Sequence, residues 1–297
     1  MKKSFSAIVL VLVFALSSGA WAQTTEPPID YLVRCDDLGM CHAVNIAVRR
    51  IIDAGIPLSV SVMFPCPWVD EAVDILRAHP EVSVGVHLTL NAEWKNYRWG
   101  PVSSPESVPG LVDSMGYFFP SRSRLFANQP TVEEIERECR AQIVMAVSTG
   151  LRIDYIDTHM GAAVQTPELR ARIEGLAEEF DLGISGYFGE SYSNITYGAP
   201  HGAKADSLRA HIERLGPGIN LQVLHVGLDV PEMQAMWDLN PFGPAEMSRH
   251  RQGELDSILN PALPTLWESR GIRLITYRDL IRKLGRESMR APRKDAY

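Results

Sequence analysis

Five polar side chains stand out because each directly follows or ends an apolar, β-rich stretch of the sequence. Asp36 and Asp37 follow the first stretch, His87 ends a second, His159 comes just after a third and His225 ends a fourth. In parallel α/β folds, residues just past the carboxyl ends of the strands share one face of the sheet, and active sites are built on that face. We therefore expect these five side chains to converge on one pocket.

One aspartate and two histidines from this group would make a metal-binding set. They supply three oxygen or nitrogen ligands and leave positions open for water and substrate, as a hydrolytic zinc or related centre requires. The same set also suits non-haem iron oxygenases, so the ligands alone do not decide the reaction. Because side chains alternate along a strand, Asp36 and Asp37 should point different ways and take separate roles. One would bind the metal, and the other would accept a proton from water.

Ordinary structural roles are the competing interpretation of each residue. The run Asp36-Asp37-Leu38-Gly39 could be a strand-to-helix turn with an N-cap, and a histidine at a strand end can be a hydrogen-bonded core residue. Asp157 could be the salt partner of His159. The same coincidence would have to recur at four strands, so a metal centre is favoured. The other histidines are expected on helices or in loops, as surface or capping residues: His42, His79, His201, His211 and His250.

The elements that must position these residues follow from the hydrophobic pattern. Apolar, β-branched runs alternate with segments of helical period, which is typical of βα units around a parallel sheet. Roughly seven such units predict an α/β fold, a distorted (β/α) barrel of about seven parallel strands. The predicted strands are Tyr31 to Cys35, Leu58 to Met63, Val82 to Leu88, Ile153 to Asp157, Asn220 to His225 and Ile272 to Thr276. The predicted helices begin near Ala43, Pro67, Thr131, Thr166, Lys204, Ala245 and Arg278, and residues 182–203 are expected to be looser.

A long inserted loop is predicted at about residues 91–130, which are rich in aromatic, Gly, Pro and Ser residues and show no sustained period. Loops of this length are usually functional and often cover a substrate. Two interpretations of its aromatic residues stay open: a surface that stacks on sugars, or packing of the loop onto the barrel. The residues concerned are Trp94, Tyr97, Trp99, Tyr117, Phe118 and Phe119.

The amino terminus is typical of a secretory signal peptide over residues 1–22. Lys2 and Lys3 precede a short apolar run, and Ala20-Trp21-Ala22 is a small-x-small cleavage site. We expect an exported protein, periplasmic or secreted, cleaved near Ala22, with residues 23–297 forming one domain. No later stretch approaches the length that spans a membrane.

Charge and cysteine content narrow the class further. The formal charge of −7 and the lack of a Lys/Arg-rich run argue against nucleic acid as a partner. Four cysteines would enter an oxidising compartment, yet their spacing matches neither a zinc ribbon nor a dense disulfide scaffold. We expect buried thiols or one bridge at most, with Cys35 and Cys41 as one candidate pair. Motifs of serine hydrolases and of nucleotide-binding loops are missing.

Four motifs surround the residues selected above: Cys35-Asp36-Asp37-Leu38-Gly39, Gly85-Val86-His87-Leu88-Thr89, Ile156-Asp157-Thr158-His159 and Leu224-His225-Val226-Gly227. In this order, they resemble the motifs of the YdjC-like family, which includes chitooligosaccharide deacetylases. The likeness extends from about Tyr31 to Leu284 and includes the late Arg251-x-x-Glu254-Leu255. The resemblance implies a distorted barrel related to other polysaccharide deacetylases of the NodB type, and removal of acetyl groups from N-acetylated sugars with one divalent metal ion, magnesium or zinc.

Carried over residue by residue, the resemblance implies that Asp37, His87 and His159 hold the metal. It implies that Asp36 is the general base and His225 the general acid. The chain departs from the usual pattern at several positions: Arg34 and Cys35 replace Asn and Ala, Val226 replaces Pro, and Met160-Gly161 follows His159 where a second His is often found.

Alternatives stay open at this point. A metal-dependent esterase or phosphoesterase would have a similar centre, and a secreted glycan-binding protein would keep the barrel without turnover. The expected partner is an acetylated sugar or oligosaccharide. The sequence leaves the metal, the sugar and a homodimer undecided.

Overall fold

The computed structural model describes residues 27–241 and 243–292. The predicted signal peptide, residues 1–22, lies outside this range. Among the described helices, none combines the length and apolar character that crossing a bilayer requires. All four cysteines are buried and free, so the candidate bridge between Cys35 and Cys41 is not formed.

Within the residues that the structure describes, eight parallel strands form one curled sheet. Their bounds are β1 (Ile29–Leu38), β2 (Ser59–Val62), β3 (Ser83–Leu88), β4 (Ile153–Thr158), β5 (Gly183–Ile184), β6 (Ser191–Ser193), β7 (Gly218–Leu224) and β8 (Ile272–Ile275). Seven of them follow the order β5-β4-β3-β2-β1-β7-β6, and β8 pairs with β1. The predicted distorted α/β barrel is confirmed as a curled half-barrel. The short strands β5 and β6 lie in residues 182–203, which were expected to be looser. They were not predicted, because two or three residues are too few to show a strand pattern.

Strand β1 holds the sheet together because it pairs with three neighbours. One edge pairs with β7 along Ile29 to Cys35. The other edge pairs first with β8, from Ile29 to Leu32, and then with β2, from Arg34 to Leu38. Every residue of β1 after Ile29 is buried. A strand buried on both faces is expected in a parallel sheet that helices cover.

Helices follow the strands as predicted, except that β5 leads directly to β6. Their bounds are α1 (His42–Asp53), α2 (Val69–Ala78), α3 (Arg122–Ala127), α4 (Val132–Ser148), α5 (Pro167–Glu179), α6 (Ile195–Gly198), α7 (Lys204–Ile212), α8 (Pro231–Gln234), α9 (Met247–Ile258), α10 (Leu263–Ser269) and α11 (Tyr277–Leu284). The predicted capping box at the start of α4 is present. The Thr131 hydroxyl accepts a hydrogen bond from the Glu134 backbone N–H, and the Glu134 carboxylate accepts one from the Thr131 backbone N–H. Thr166 caps α5, whose first residue is Pro167.

Residues 91–130 contain α3 and two short 3₁₀ helices, Pro105–Ser107 and Pro109–Leu111. Trp94, Trp99 and Phe118 are buried, so these three aromatic side chains pack the segment onto the sheet. The fully buried Glu138 of α4 accepts hydrogen bonds from the backbone N–H groups of Val102 and Ser103, both at 2.9 Å. This segment is therefore an ordered cover rather than an irregular loop.

The inside of the half-barrel changes from apolar to polar along β1. Leu32 belongs to a small buried cluster with Tyr155, Leu221, Val223 and Tyr277. Since side chains alternate along a strand, Arg34 and Asp36 lie on the same face as Leu32, further towards the carboxyl end. The other face of β1, with Tyr31, Val33 and Cys35, packs in the large cluster that includes the outer helices. The apolar cluster thus lies beneath the polar residues at the strand ends.

We predict that Gly85→Ala destabilises the fold. A Cβ atom on Gly85 would lie 2.4 Å from the ring of Tyr155, its partner across β3 and β4. The fully buried ring has little room to move, so we expect the free energy of unfolding to fall by about 1–3 kcal/mol. Denaturant unfolding measures it. The control is Gly175→Ala in α5, where a Cβ meets no atom within 4 Å and should stabilise the helix by about 0.5–1 kcal/mol. Equal stability of wild type and Gly85→Ala would contradict the prediction.

Candidate metal centre

All five residues selected from the sequence lie at the carboxyl edge of the sheet. Asp36 and Asp37 are near the end of β1, and His87 is the next-to-last residue of β3. His159 and His225 directly follow β4 and β7. The five side chains line one cavity of about 600 Å³. The structure therefore brings together residues that are up to 189 positions apart in the sequence.

The alternation expected for Asp36 and Asp37 is wrong. Asp37 has a φ of 66°, in the left-handed region that a non-glycine residue rarely adopts. The pairing of β1 with β2 shifts register between Cys35 and Leu38, which is the mark of a β-bulge. The bulge turns the strand so that both carboxylates line the same cavity instead of opposite faces of the sheet. Separate roles for the two residues must therefore come from their partners.

Asp37, His87 and His159 form a compact set of donors whose ligand atoms all lie within 4.8 Å of one another. Asp37 Oδ1 is 3.5 Å from both His87 Nε2 and His159 Nδ1, and these nitrogens are 3.3 Å apart. Ligands about 2.1 Å from a tetrahedral ion lie about 3.4 Å from one another. Asp37 Oδ1 is buried and makes no hydrogen bond with the described residues. Spacing, donor types and this unpaired oxygen all fit a divalent cation.

Each histidine of the set presents its second nitrogen to a buried carboxylate. His87 Nδ1 lies 3.0 Å from Asp157 Oδ1, and His159 Nε2 lies 3.1 Å from Glu93 Oε2. Such carboxylate partners orient metal-binding histidines and raise their basicity. The suggested pairing of Asp157 with His159 is therefore wrong, because Asp157 contacts His87. Glu93 was missed, since it lies in the inserted segment outside any motif.

Two buried arginines hold the two adjacent aspartates. Arg34 donates from Nε to Asp36 Oδ1 at 2.6 Å and from Nη2 to Asp36 Oδ2 at 2.8 Å. Arg251 of α9 donates to Asp37 Oδ2 at 2.6 Å, which leaves Oδ1 towards the histidines. Arg34 was noticed in the sequence only as a departure from the family pattern. Arg251 is 214 residues away from Asp37 and was noticed only within the motif Arg251-x-x-Glu254-Leu255, without a role.

His225 lies beside Asp36 and lines the same cavity. Its Nε2 is 3.9 Å from Asp36 Oδ2, and its side chain is 21% exposed to solvent. Its backbone N–H donates to Glu254 at 2.7 Å, and its ring packs edge-on against Tyr197. His225 is thus held at the cavity wall with a ring nitrogen facing the base candidate.

The surroundings set the charge of the donor residues. Burial raises the pKa of a carboxyl group, yet Arg251, His159 and His225 hold the pKa of Asp37 well below its usual value. Burial lowers the pKa of an imidazole, but Glu93 and Asp37 together raise the pKa of His159 to about 10. Without a metal ion, His159 carries a proton that a bound cation would displace.

The other histidines lie outside this set. His42 Nδ1 contacts Glu71 at the exposed start of α1, at 2.7 Å. His201 packs edge-on against His250, with ring centroids 5.8 Å apart. His42 is exposed as expected, whereas His201 and His250 are half-buried, and none of the three lines the cavity.

We predict that Glu93→Gln weakens metal binding. The amide cannot carry the charge that supports His159, and loss of such a partner typically costs about 10–100-fold in metal affinity. Competition with a chromogenic zinc chelator measures the affinity. Glu179→Gln is the control, because Glu179 pairs with Arg140 on the protein surface. An unchanged affinity in Glu93→Gln would refute the role of Glu93.

Comparison with known proteins places this site in context. A carbohydrate deacetylase of Geobacillus stearothermophilus is 27% identical over 264 residues, covering 84% of this chain and 96% of the relative. A carbohydrate deacetylase of Thermoanaerobacter pseudethanolicus is 33% identical over 156 residues, covering 52% of this chain and 58% of the relative. The chain thus matches a little over half the length of several curated relatives.

Similarity of fold extends to a solved structure from Enterococcus faecalis V583, provisionally assigned to cellobiose-phosphate cleavage. It superposes with a TM-score of 0.70 at 21% identity and covers 85% of this chain and 99% of its own. The sequence also matches the family described as YdjC-like protein over residues 31–269. Since this match covers most of the chain, the protein belongs to the YdjC-like family.

Proposed function

We propose that this protein is a metal-dependent hydrolase that removes acetyl groups from N-acetylated carbohydrates. The observation that carries the proposal is the donor set Asp37, His87 and His159, which lies in one cavity with Asp36 and His225. Relatives named carbohydrate deacetylase support the choice of substrate class. The cavity of about 600 Å³ is large enough for a sugar unit and is lined by Trp94, Tyr192 and Tyr197 among others.

Asp37, His87 and His159 would hold one divalent metal ion, because their donor atoms are close, buried and only partly paired. When bound, such an ion polarises a carbonyl group and lowers the pKa of water towards neutrality. A mixed set of carboxylate and imidazole ligands accepts zinc, magnesium or related ions.

Asp36 is suited to take the proton of the attacking water. Arg34 fixes its carboxylate through both oxygens, and a carboxylate keeps further lone pairs for a third partner. Asp36 is buried beside Asp37, and its own cation partner is Arg34. It can therefore remain a base while Asp37 serves as a ligand.

His225 is suited to protonate the leaving nitrogen. Imidazole is a common proton donor in catalysis, and His225 Nε2 lies in the cavity, 3.9 Å from Asp36 Oδ2. Water adds to the acetyl carbon and gives one proton to Asp36. The carbon–nitrogen bond then breaks, and its electron pair stays on nitrogen, which takes a proton from His225. The products are acetate and a free amine.

We also propose that the protein is exported, so that its substrate is extracellular polysaccharide or an oligosaccharide derived from it. The signal-like residues 1–22 support this location. Amino-terminal sequencing of protein from the periplasm or medium should begin near Gln23. A cytoplasmic chain that still begins at Met1 would contradict it.

We predict that metal-loaded protein releases acetate from N-acetylglucosamine oligomers and that chelation abolishes the release. Adding back zinc or magnesium should restore it, because the donor set regains its cation. Enzymatic acetate detection measures the reaction. Ester-acetylated and phosphorylated sugars serve as parallel substrates, so release of acetate only from esters, or of phosphate, would favour the alternative hydrolases. No product from any of these substrates would count against the proposal.

We predict that Asp36→Asn and His225→Gln each lower kcat by about 10²–10⁴-fold while metal content stays at the wild-type level, since proton transfer contributes that much to such reactions. Steady-state kinetics and elemental analysis measure the two quantities. The control is Asp70→Asn in the first turn of α2, which lies outside the cavity. A glycan-binding protein without turnover would instead show sugar affinity that Asp36→Asn hardly changes.

A further inference from the structure

A second group of potential metal ligands lies directly beside the first. Asp36, His87 and Asp157 also offer donor atoms within 4.8 Å of one another, and all three residues are buried. The two groups share His87, which uses opposite ring nitrogens. Nε2 faces Asp37 at 3.5 Å, and Nδ1 faces Asp157 at 3.0 Å. A divalent ion entering this cavity thus meets two overlapping sets of ligands.

The second set already contains a cation, the guanidinium group of Arg34. Arg34 holds both oxygens of Asp36, at 2.6 and 2.8 Å, and its Nη2 lies 3.1 Å from Asp157 Oδ2. Its Nη1 donates to Ser185 Oγ at 2.6 Å, so the planar group is fixed at both ends. A guanidinium group does not lose its proton in proteins, and its fork matches carboxylate geometry. This positive charge is therefore permanent.

We propose that the Arg34 guanidinium occupies the place of a second cation among Asp36, His87 and Asp157, so that a metal ion binds only at Asp37, His87 and His159. The inference rests on the proposed function, since it concerns which of two ligand sets the catalytic metal uses. Arg34 is a positioning residue in this scheme. It acts through Asp36, which it keeps off the metal, and through Asp157, which orients His87.

Electrostatics explains why one arginine decides between the sets. Two carboxylates and an imidazole nitrogen in a buried site attract a divalent ion strongly, unless a positive group neutralises them first. Arg251 acts differently on the first set, because it contacts only Oδ2 of Asp37 and leaves Oδ1 available. In the second set, Arg34 contacts both carboxylates, because it donates to both oxygens of Asp36 and lies 3.1 Å from Asp157 Oδ2. In the first set, Asp37 Oδ1 makes no hydrogen bond and faces the two imidazoles.

The test is metal stoichiometry, measured by equilibrium dialysis of folded protein against zinc followed by elemental analysis. We expect one zinc ion per chain for the wild type and two for Arg34→Gln. Adding Asp157→Asn to Arg34→Gln should return the value to one, because the second set loses a ligand. The matched control is Arg122→Gln, which removes another arginine of the cavity and should leave one ion bound. The absorption spectrum of bound cobalt reports whether the ligand set has changed.

Arg34→Lys separates charge from geometry and also serves if Arg34→Gln does not fold. Lysine keeps the positive charge but loses the fork, so we expect one zinc ion, a kcat at least tenfold lower and little change in KM. Two zinc ions in wild type or in Arg34→Lys would overturn the proposal. One ion in Arg34→Gln with the wild-type cobalt spectrum would also overturn it.

These results are distinguishable from failure of the proposed function. If the wild type binds one ion and Arg34→Gln binds two, the inference stands even when no acetylated sugar is hydrolysed. If the wild type binds no ion, both the inference and the metal-dependent reaction are refuted.

Discussion

A carboxylate that is taken out of water needs a cation beside it, and the cavity of this half-barrel brings four buried carboxylates together. Asp36 is paired with Arg34 and Asp37 with Arg251, while Glu93 contacts His159 and Asp157 contacts His87. Asp37 Oδ1, which faces the two imidazoles, makes no hydrogen bond with the described residues. The arrangement of fixed positive charges thereby defines where a further cation can bind.

The β-bulge in β1 is the backbone feature that makes this arrangement work. In a regular strand, Asp37 would point towards the outer helices, with Val33 and Cys35. The left-handed conformation at Asp37 brings its carboxylate into the cavity beside Asp36, at a cost of about 1–3 kcal/mol for such a backbone state. Helix α9 compensates from the far end of the chain. Its Arg251 binds Asp37, and Glu254, one turn later, binds the backbone of His225.

The interior below this site gives it rigidity. Leu32, Tyr155, Val223 and Tyr277 form a buried layer within the curl of the sheet. Within this layer, the Tyr155 hydroxyl forms a buried hydrogen bond of 3.0 Å with Ser61 Oγ. The strands that carry Asp36, His87 and Asp157 belong to one hydrogen-bonded sheet, in which β2 lies between β1 and β3, so their side chains keep fixed separations. A layer of packed aromatic rings therefore holds the polar layer in place.

The amino-acid sequence by itself determined the alternation of strands and helices, the curled parallel sheet and the position of five reactive residues at strand ends. The pattern of strands and helices is local, because the spacing of apolar residues and the capping residues act over a few positions, as at Thr131 and Glu134. The parallel sheet then follows from the alternation of strands and helices. The sequence did not determine the bulge at Asp37, the partners Glu93 and Arg251, or the link from Arg34 through Asp157 to His87. Such contacts join segments as far as 214 residues apart and leave no periodic signal. Only the folded sheet, by bringing the carboxyl ends of β1, β3 and β4 to one edge, decides which charges meet.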